Sequence, residues 1–352
     1  MPRTIPTLVA AGGVLAIAAA GFVRFAVVPD RAQLPADTDV TAEYTGTVDA
    51  ILSADAILSA EALAAGDLAN VLLTDIPASI TRDVVVTGTD GDIATVNETA
   101  TVTAPDGTVL IGTNATFDLD RRTMEGVGER DGLLIGWPIG TEQRDYTGWS
   151  TDLQDTVDLT FVGTEQHAGI DTYVFSTDVS GQIVDPELLS RLPATLPKAL
   201  LPQVAAALEL PEALAAQLPA ILEALPDDVP MQYAVQSNTT YWVEPDTGIV
   251  VDLDRVETRT IAFDVDGVPA IPLAEVFSIS YTGEETSVAA RVADAVDKAD
   301  QLQTFGTTVP VGLTVLGVVL LGVAFLLGRR RDQDIDLTDA PSTTEPRSFT
   351  HV

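Results

Sequence analysis

The chain has 352 residues, with 52 Asp and Glu against 18 Lys and Arg, two His, no Cys and a formal net charge of −34. That balance argues against nucleic acid or any other polyanion as partner, because phosphate contacts need clustered Lys and Arg. The lack of Cys excludes disulfides, thiolate metal sites and Cys nucleophiles, and any His chemistry falls on His167, since His351 lies in the tail.

In chain order, residues 1–7 are a short start and Leu8–Val28 an apolar run of about the 20 residues that cross a bilayer. Arg24 sits near its outer end, where a long side chain reaches the interface. A cleavable signal peptide ending near Ala18-Ala19-Ala20 is the rival reading, but the apolar run continues to Val28, which favours a retained anchor. Gly12, Ala16 and Ala20 have a spacing that would let a second helix approach, although small residues are common in such segments. Residues 29–308 then form one large β-rich domain. Within it, 41–75 reads as helical, with Ile51, Leu52, Ile57, Leu58, Leu63, Leu68 and Leu72 among Ala and acids.

From Ile80 the period changes to two. Strands follow one another, joined by turns at Asp90-Gly91, Pro105-Asp106-Gly107, His167-Ala168-Gly169 and Glu244-Pro245-Asp246-Thr247-Gly248. The fold class is therefore α+β: a large, curved antiparallel sheet, wet on one face. Residues 186–230 interrupt it as a helical insertion rich in Leu, Ala and Pro, whose prolines allow only short helices. Leu208, Leu214, Leu218, Ile221, Leu222 and Leu225 form a stripe there that either caps the sheet as core or acts as an apolar lid. Val288–Thr304 reads as a helix leading into the uncharged span 309–328.

Arg329, Arg330 and Arg331 follow that span. The positive-inside rule then places both termini in the cytoplasm and the domain between the spans outside the cell, with 329–352 a polar cytoplasmic tail. Sequons at Asn97, Asn114 and Asn238 are candidate glycosylation sites and agree with an exterior location. Asp outnumbers Glu about two to one along the whole domain, yet 46% of the chain is hydrophobic, which a disordered acidic chain would not be. Such a folded protein repels itself at low salt, so the composition reads as that of an extreme halophile.

No phosphate-binding loop and no dinucleotide fingerprint is present. Asp264-Val265-Asp266-Gly267 lacks the later acidic ligand of a calcium loop, and the pairs Asp252/Asp254 and Asp118/Asp120 are expected by chance in so acidic a chain. No enzyme, cofactor or metal site is expected. His167 reads as a surface residue at a turn, and Trp137, Trp149 and Trp242 as core anchors of the sheet.

The two terminal spans, the stretch Leu133-Leu134-Ile135-Gly136-Trp137-Pro138, the strand pair FVGTEQHAGIDTYVFSTDV and the hairpin TTYWVEPDTGIVVDLDRVETRT resemble the PorA, or porin-PorA-like, family. These are two-span envelope proteins without an assigned activity, and the resemblance covers Leu8 to Gly328. Gly163–Phe175 with Tyr241–Gly248 is also similar to the strand–turn pattern of lipoprotein carriers of the LolA and LppX kind. In those a half-barrel cradles acyl chains. The layout of a domain between two anchors is similar to that of class B scavenger receptors, which pass lipids through a tunnel. The resemblances imply a non-enzymatic envelope protein that binds or transfers a hydrophobic, lipid-like ligand. The alternative is a structural scaffold that binds surface-layer or membrane partners.

Overall fold

A computed structural model describes residues 4–52, 72–202, 222–223, 225–263 and 272–336. The chain divides into two compact units, Met1–Ala32 with Asp300–Val352, and Gln33–Ala299.

In the first unit, α1 (Thr4–Phe22) runs through a π turn into α2 (Val28–Arg31). The long C-terminal helix spans Val309–Asp336. It packs on α1 where Gly13 meets Gly317: a Cβ on either glycine would press on the other's carbonyl oxygen. Gly13 and Ala20 on one helix, and Pro310, Gly317 and Ala324 on the other, are the buried positions. A seven-residue interval keeps such residues on one seam, and small side chains let the backbones close. The seam thus runs through Gly13 and Ala20 rather than through Gly12 and Ala16. Leu8, Leu15, Phe22 and Phe25, like Val315, Val319, Phe325 and Leu326, stay exposed, which suits lipid and not water. Both helices are long and apolar enough to cross a membrane. The second continues eight residues past Gly328, through Arg329–Arg331 to Asp336, so the tail does not become irregular where the apolar run stops.

The second unit is built on one antiparallel sheet. Its strands are β1 (Asp39–Leu52), β2 (Leu72–Asp90), β3 (Ile93–Thr103), β4 (Val109–Asp120), β5 (Gly126–Val127), β6 (Tyr146–Ser150), β7 (Asp155–His167), β8 (Ile170–Gln182), β9 (Thr195–Pro197), β10 (Asp228–Glu244), β11 (Ile249–Phe263) and β12 (Pro272–Gly283). The order is β5-β4-β3-β2-β1-β12-β11-β10-β8-β7-β6, with β9 on β10. The helical reading of 41–75 is overturned at both ends: Ile51 and Leu52 belong to β1 and Leu72 to β2, while Ile57, Leu58, Leu63 and Leu68 lie outside the described residues. Residues 39–52 have ladders on both sides, to β2 and β12, and that pairing overrides the helix preference of Ala and Glu.

Alternation sorts side chains to two faces. Ile80 and Arg82 on β2, Val96 and Glu98 on β3, Phe117 on β4, and Leu253, Arg255 and Glu257 on β11 point inward. Thr41, Asp83, Thr95, Asn97, Thr99 and Asp118 point outward, where Thr41 donates to Asp83 and Thr95 to Asp118. At one end the curl is joined through Leu133. Leu133 N–H donates to Thr147 O (2.8 Å), Trp149 N–H donates to Leu133 O (3.1 Å), and Gly126 N–H donates to Gly132 O (2.9 Å), so β5 and β6 share a bridging residue. Leu34 and Ile135 pack beneath, against Phe117 and Val96 on one side and Trp137, Tyr146 and Phe175 on the other.

The opposite end is filled by Ile183, Leu196, Leu201, Leu225, Val229 and Phe263. The insertion begins there as α3 (Pro186–Ser190), with Asp185 accepting the Glu187 and Leu188 N–H groups as its N-cap. Its Arg191 donates Nη1 to Gly112 O on β4 (3.1 Å). The helix read at Val288–Thr304 is α4 (Glu285–Gln303), and Val309–Asp336 is α5.

Gly248 closes the β10–β11 turn at φ +73°, and a Cβ there would overlap the carbonyls of Trp137 and Pro138. Gly248→Ala is therefore expected to cost about 3 kcal/mol through strain and displacement of the Trp137 loop. Urea unfolding of the detergent-solubilised protein, followed by Trp fluorescence, measures that loss.

Candidate functional site

Inside the curl, between the two apolar ends, lies a belt of charged and phenolic side chains. On β11, Arg255, Glu257 and Arg259 occupy successive positions of one face. Arg255 Nε and Nη2 both donate to Glu257 Oε2, at 3.1 and 2.5 Å. Arg259 Nη2 reaches Glu257 Oε1 at 2.9 Å and Asp152 Oδ2 at 3.1 Å. Across the interior, Arg82 Nε donates to Glu98 Oε1 at 2.5 Å. Tyr44 and Tyr281 meet edge to face at 5.5 Å, and Tyr241 packs on Trp137 at 5.1 Å.

Burial works against the charge of Arg82 and Arg255, but Glu98 and Glu257 outweigh it, with Tyr44, Tyr241 and Tyr281 adding, so both are held firmly protonated. Burial alone would push the Glu257 carboxyl up; Arg255 and Arg259 reverse this and hold it below the usual range. For Asp152 burial wins over Arg259 and the carboxyl is raised. Burial pushes the Tyr281 phenol up to about 12. Despite this desolvation, 30% of the Arg255 side chain and 25% of each of Arg82 and Glu98 stay accessible.

None of the candidate site residues read from the sequence lies in this belt, although Tyr241, Arg255, Glu257 and Arg259 fall within the hairpin that carries the family resemblance. The signal was present as Arg-x-Glu-x-Arg at 255–259: two cations and one anion on one face of a strand are compatible with mutual burial. Of the lid candidates, Leu225 is buried in the far-end cluster and Leu222 packs against it; Leu208, Leu214, Leu218 and Ile221 lie outside the described residues. Asn97, Asn114 and Asn238 sit mid-strand on the outer face. Asn97 Nδ2 donates to Asn114 Oδ1 (2.7 Å) and Asn238 Nδ2 to Asp178 Oδ1 (2.6 Å). Arg329 is exposed on α5, whose next residues are Arg330 and Arg331.

His167, at the tip of the β7–β8 hairpin, lies on the outer face, stacked on Trp242 at 4.4 Å and 17°. Its Nε2 shares a hydrogen bond with Asp252 Oδ2 at 2.7 Å, while Asp252 Oδ1 accepts the Leu253 and Gly283 N–H groups. Trp242, expected in the core, is thus half-exposed, because its place on β10 faces outward and its indole N–H donates to Glu165. Trp137 is buried, and Trp149 half-buried. Asp264–Gly267 lies outside the described residues, and among the described residues no group of three or more His, Asp or Glu is arranged to hold a metal ion.

Buried Glu257 is the shared partner of two half-buried arginines, and breaking a buried ion pair by removing one partner costs about 3–5 kcal/mol. Glu257→Gln is expected to lose about 3 kcal/mol at neutral pH. Because the folded-state carboxyl lies below its unfolded value of 4.5, its contribution is present above that value and disappears as pH falls through the folded value. The variant should therefore show a flatter acid limb when unfolding is followed from pH 7 downward.

The family profile described as Porin PorA matches residues 5–326. A curated relative, a porin PorA of Corynebacterium resistens, is 26% identical over 258 residues, covering 62% of this chain and 62% of that protein. The match thus spans under two thirds of the relative's length. Among solved structures, a MaoC domain dehydratase of Chloroflexus aurantiacus aligns at 11% identity over 78% of this chain and 80% of its own, with a TM-score of 0.14. A double-hotdog protein of Mycobacterium tuberculosis aligns at 10% identity over 77% and 80%, also at 0.14. Scores this low carry no argument about fold or activity.

Proposed function

The chain belongs to the porin PorA family, and from that membership we propose a membrane-anchored envelope protein whose exterior domain holds an amphipathic, lipid-like ligand inside its curled sheet. The observation that supports this is the open surface of Arg82, Glu98 and Arg255 within an interior where burial works against the charge of both arginines. Accessible surface in such a place is the wall of a hollow. Apolar side chains flank it on both sides, with Phe277, Ile279 and Leu253 nearest. A ligand with an apolar body and a polar head matches that order of surfaces.

The protein acts by binding and not by catalysis. His167 is on the outer face with its Nε2 committed to Asp252, and the belt's carboxylates are committed to guanidinium groups. The relative carries the name porin; for this chain a lipid-holding chamber accounts better for buried ion pairs than a water-filled lumen would, since water would weaken them. Both termini are cytoplasmic, on the strength of Arg329–Arg331.

Two experiments test the proposal. Full-length protein extracted in mild detergent should carry a co-purified lipid in native mass spectrometry. Ala100→Phe, beside Arg82 on the inner face, should lower its occupancy at least tenfold with little change in melting temperature. A lipid-free protein, or full occupancy in the variant, would rule the chamber out. For topology, a cytoplasm-active reporter fused after Val352 should be active, and activity of an exterior-only reporter there would overturn the orientation.

A further inference from the structure

We propose that the head group of this ligand is uncharged and rich in acceptor oxygens, an ester-and-hydroxyl head of the acylglycerol type rather than a phosphate or a free carboxylate; the proposal rests on the ligand chamber described above. The interior charges balance: Arg82 stands against Glu98, and Arg255 and Arg259 stand against Glu257 and Asp152. The next cation, Arg291 of α4, donates Nη1 to Tyr44 Oη, and buried Asp252 lies across Gly283 from it, since a Cβ at Gly283 would touch both. Among Arg82, Arg255 and Arg259, whose guanidinium groups form the belt, no net positive charge is left over for an oxyanion.

Donors, by contrast, are left over. Arg82 spends only Nε on Glu98, so neither of its Nη nitrogens has a hydrogen-bond partner among the described residues. Arg255 spends Nε and Nη2, leaving Nη1. Thr177 and Thr239, cross-strand neighbours on β8 and β10 and nine-tenths or more buried, have hydroxyls without a partner, as does Arg259 Nε. Tyr281 remains a phenol across the physiological range. Carbonyl and hydroxyl oxygens can engage accessible guanidinium N–H groups without disturbing the charge balance. An anion would add an uncompensated charge to a desolvated space, which is far costlier than a satisfied neutral acceptor.

The test offers full-length, delipidated protein in detergent three probes with the same acyl chain: monooleoylglycerol, oleate and oleoyl-lysophosphatidate. Retention is compared by native mass spectrometry at neutral pH. Monooleoylglycerol should be retained at least tenfold better than either anion. Glu98→Gln, which strips Arg82 of its counter-charge, should shift the preference toward oleate at least tenfold, and Asp152→Asn should shift it in the same direction if Glu98→Gln fails to fold. Wild-type retention of oleate or lysophosphatidate equal to or better than that of monooleoylglycerol would overturn the head-group assignment and leave the chamber standing. Retention of none of the three, with no lipid co-purifying, would overturn both.

Discussion

Glu257 lies between Arg255 and Arg259 on one face of one strand, with each oxygen taking a different guanidinium. In a desolvated interior neither cation is tolerable alone, and an unpaired carboxylate would be no better. This triad therefore fixes the register of β11. A slip of one residue would send the three charges to the outer face and bring Asp254, Val256 and Thr258 inward. Since β11 pairs with β10 and β12 along most of its length, the register passes outward to the central strands on both sides.

Around that belt the two ends of the curl are filled in different ways. One end is closed by backbone: Leu133 bridges β5 to β6, and Trp137 and Ile135 plug the opening beneath it. The other is closed by side chains of the insertion, with Leu196, Leu201 and Leu225 over Phe263, and with Arg191 capping a free carbonyl of the β4 edge. An unpaired strand edge invites pairing with other chains, so both closures also protect the sheet. Filled ends and a polar waist with open surface make an interior that differs from a packed barrel core.

The chain's charge has two unlike uses. On the outer face carboxylates bond threonine hydroxyls and each other's neighbours, and they serve solubility. Inside, Arg82 meets Glu98, and Arg255 and Arg259 meet Glu257 and Asp152 in a chain of ion pairs. His167 belongs to the first set by position, but it ties the β7–β8 hairpin through Asp252 to the Gly283 N–H, at the junction where β12 gives way to α4. That tie is mechanical: it holds a hairpin tip against a strand end.

The amino-acid sequence alone determined the two apolar spans, the antiparallel class and the turns at Gly91, Gly107, Gly169 and Gly248, because hydropathy over 20 residues and the backbone freedom of glycine are local properties. It also pointed to the family, through runs that survive as strand pairs. It misread both ends of 41–75 as helical, since the partners that make β1 a strand lie 20 or more residues away on β2 and more than 200 away on β12. It passed over Arg82, Glu98 and the Arg255–Glu257–Arg259 triad for a related reason. Alternation says which residues share a face but not which face turns inward, and only the curl of the assembled sheet decided that these polar faces, and not the threonine-rich ones, enclose the interior.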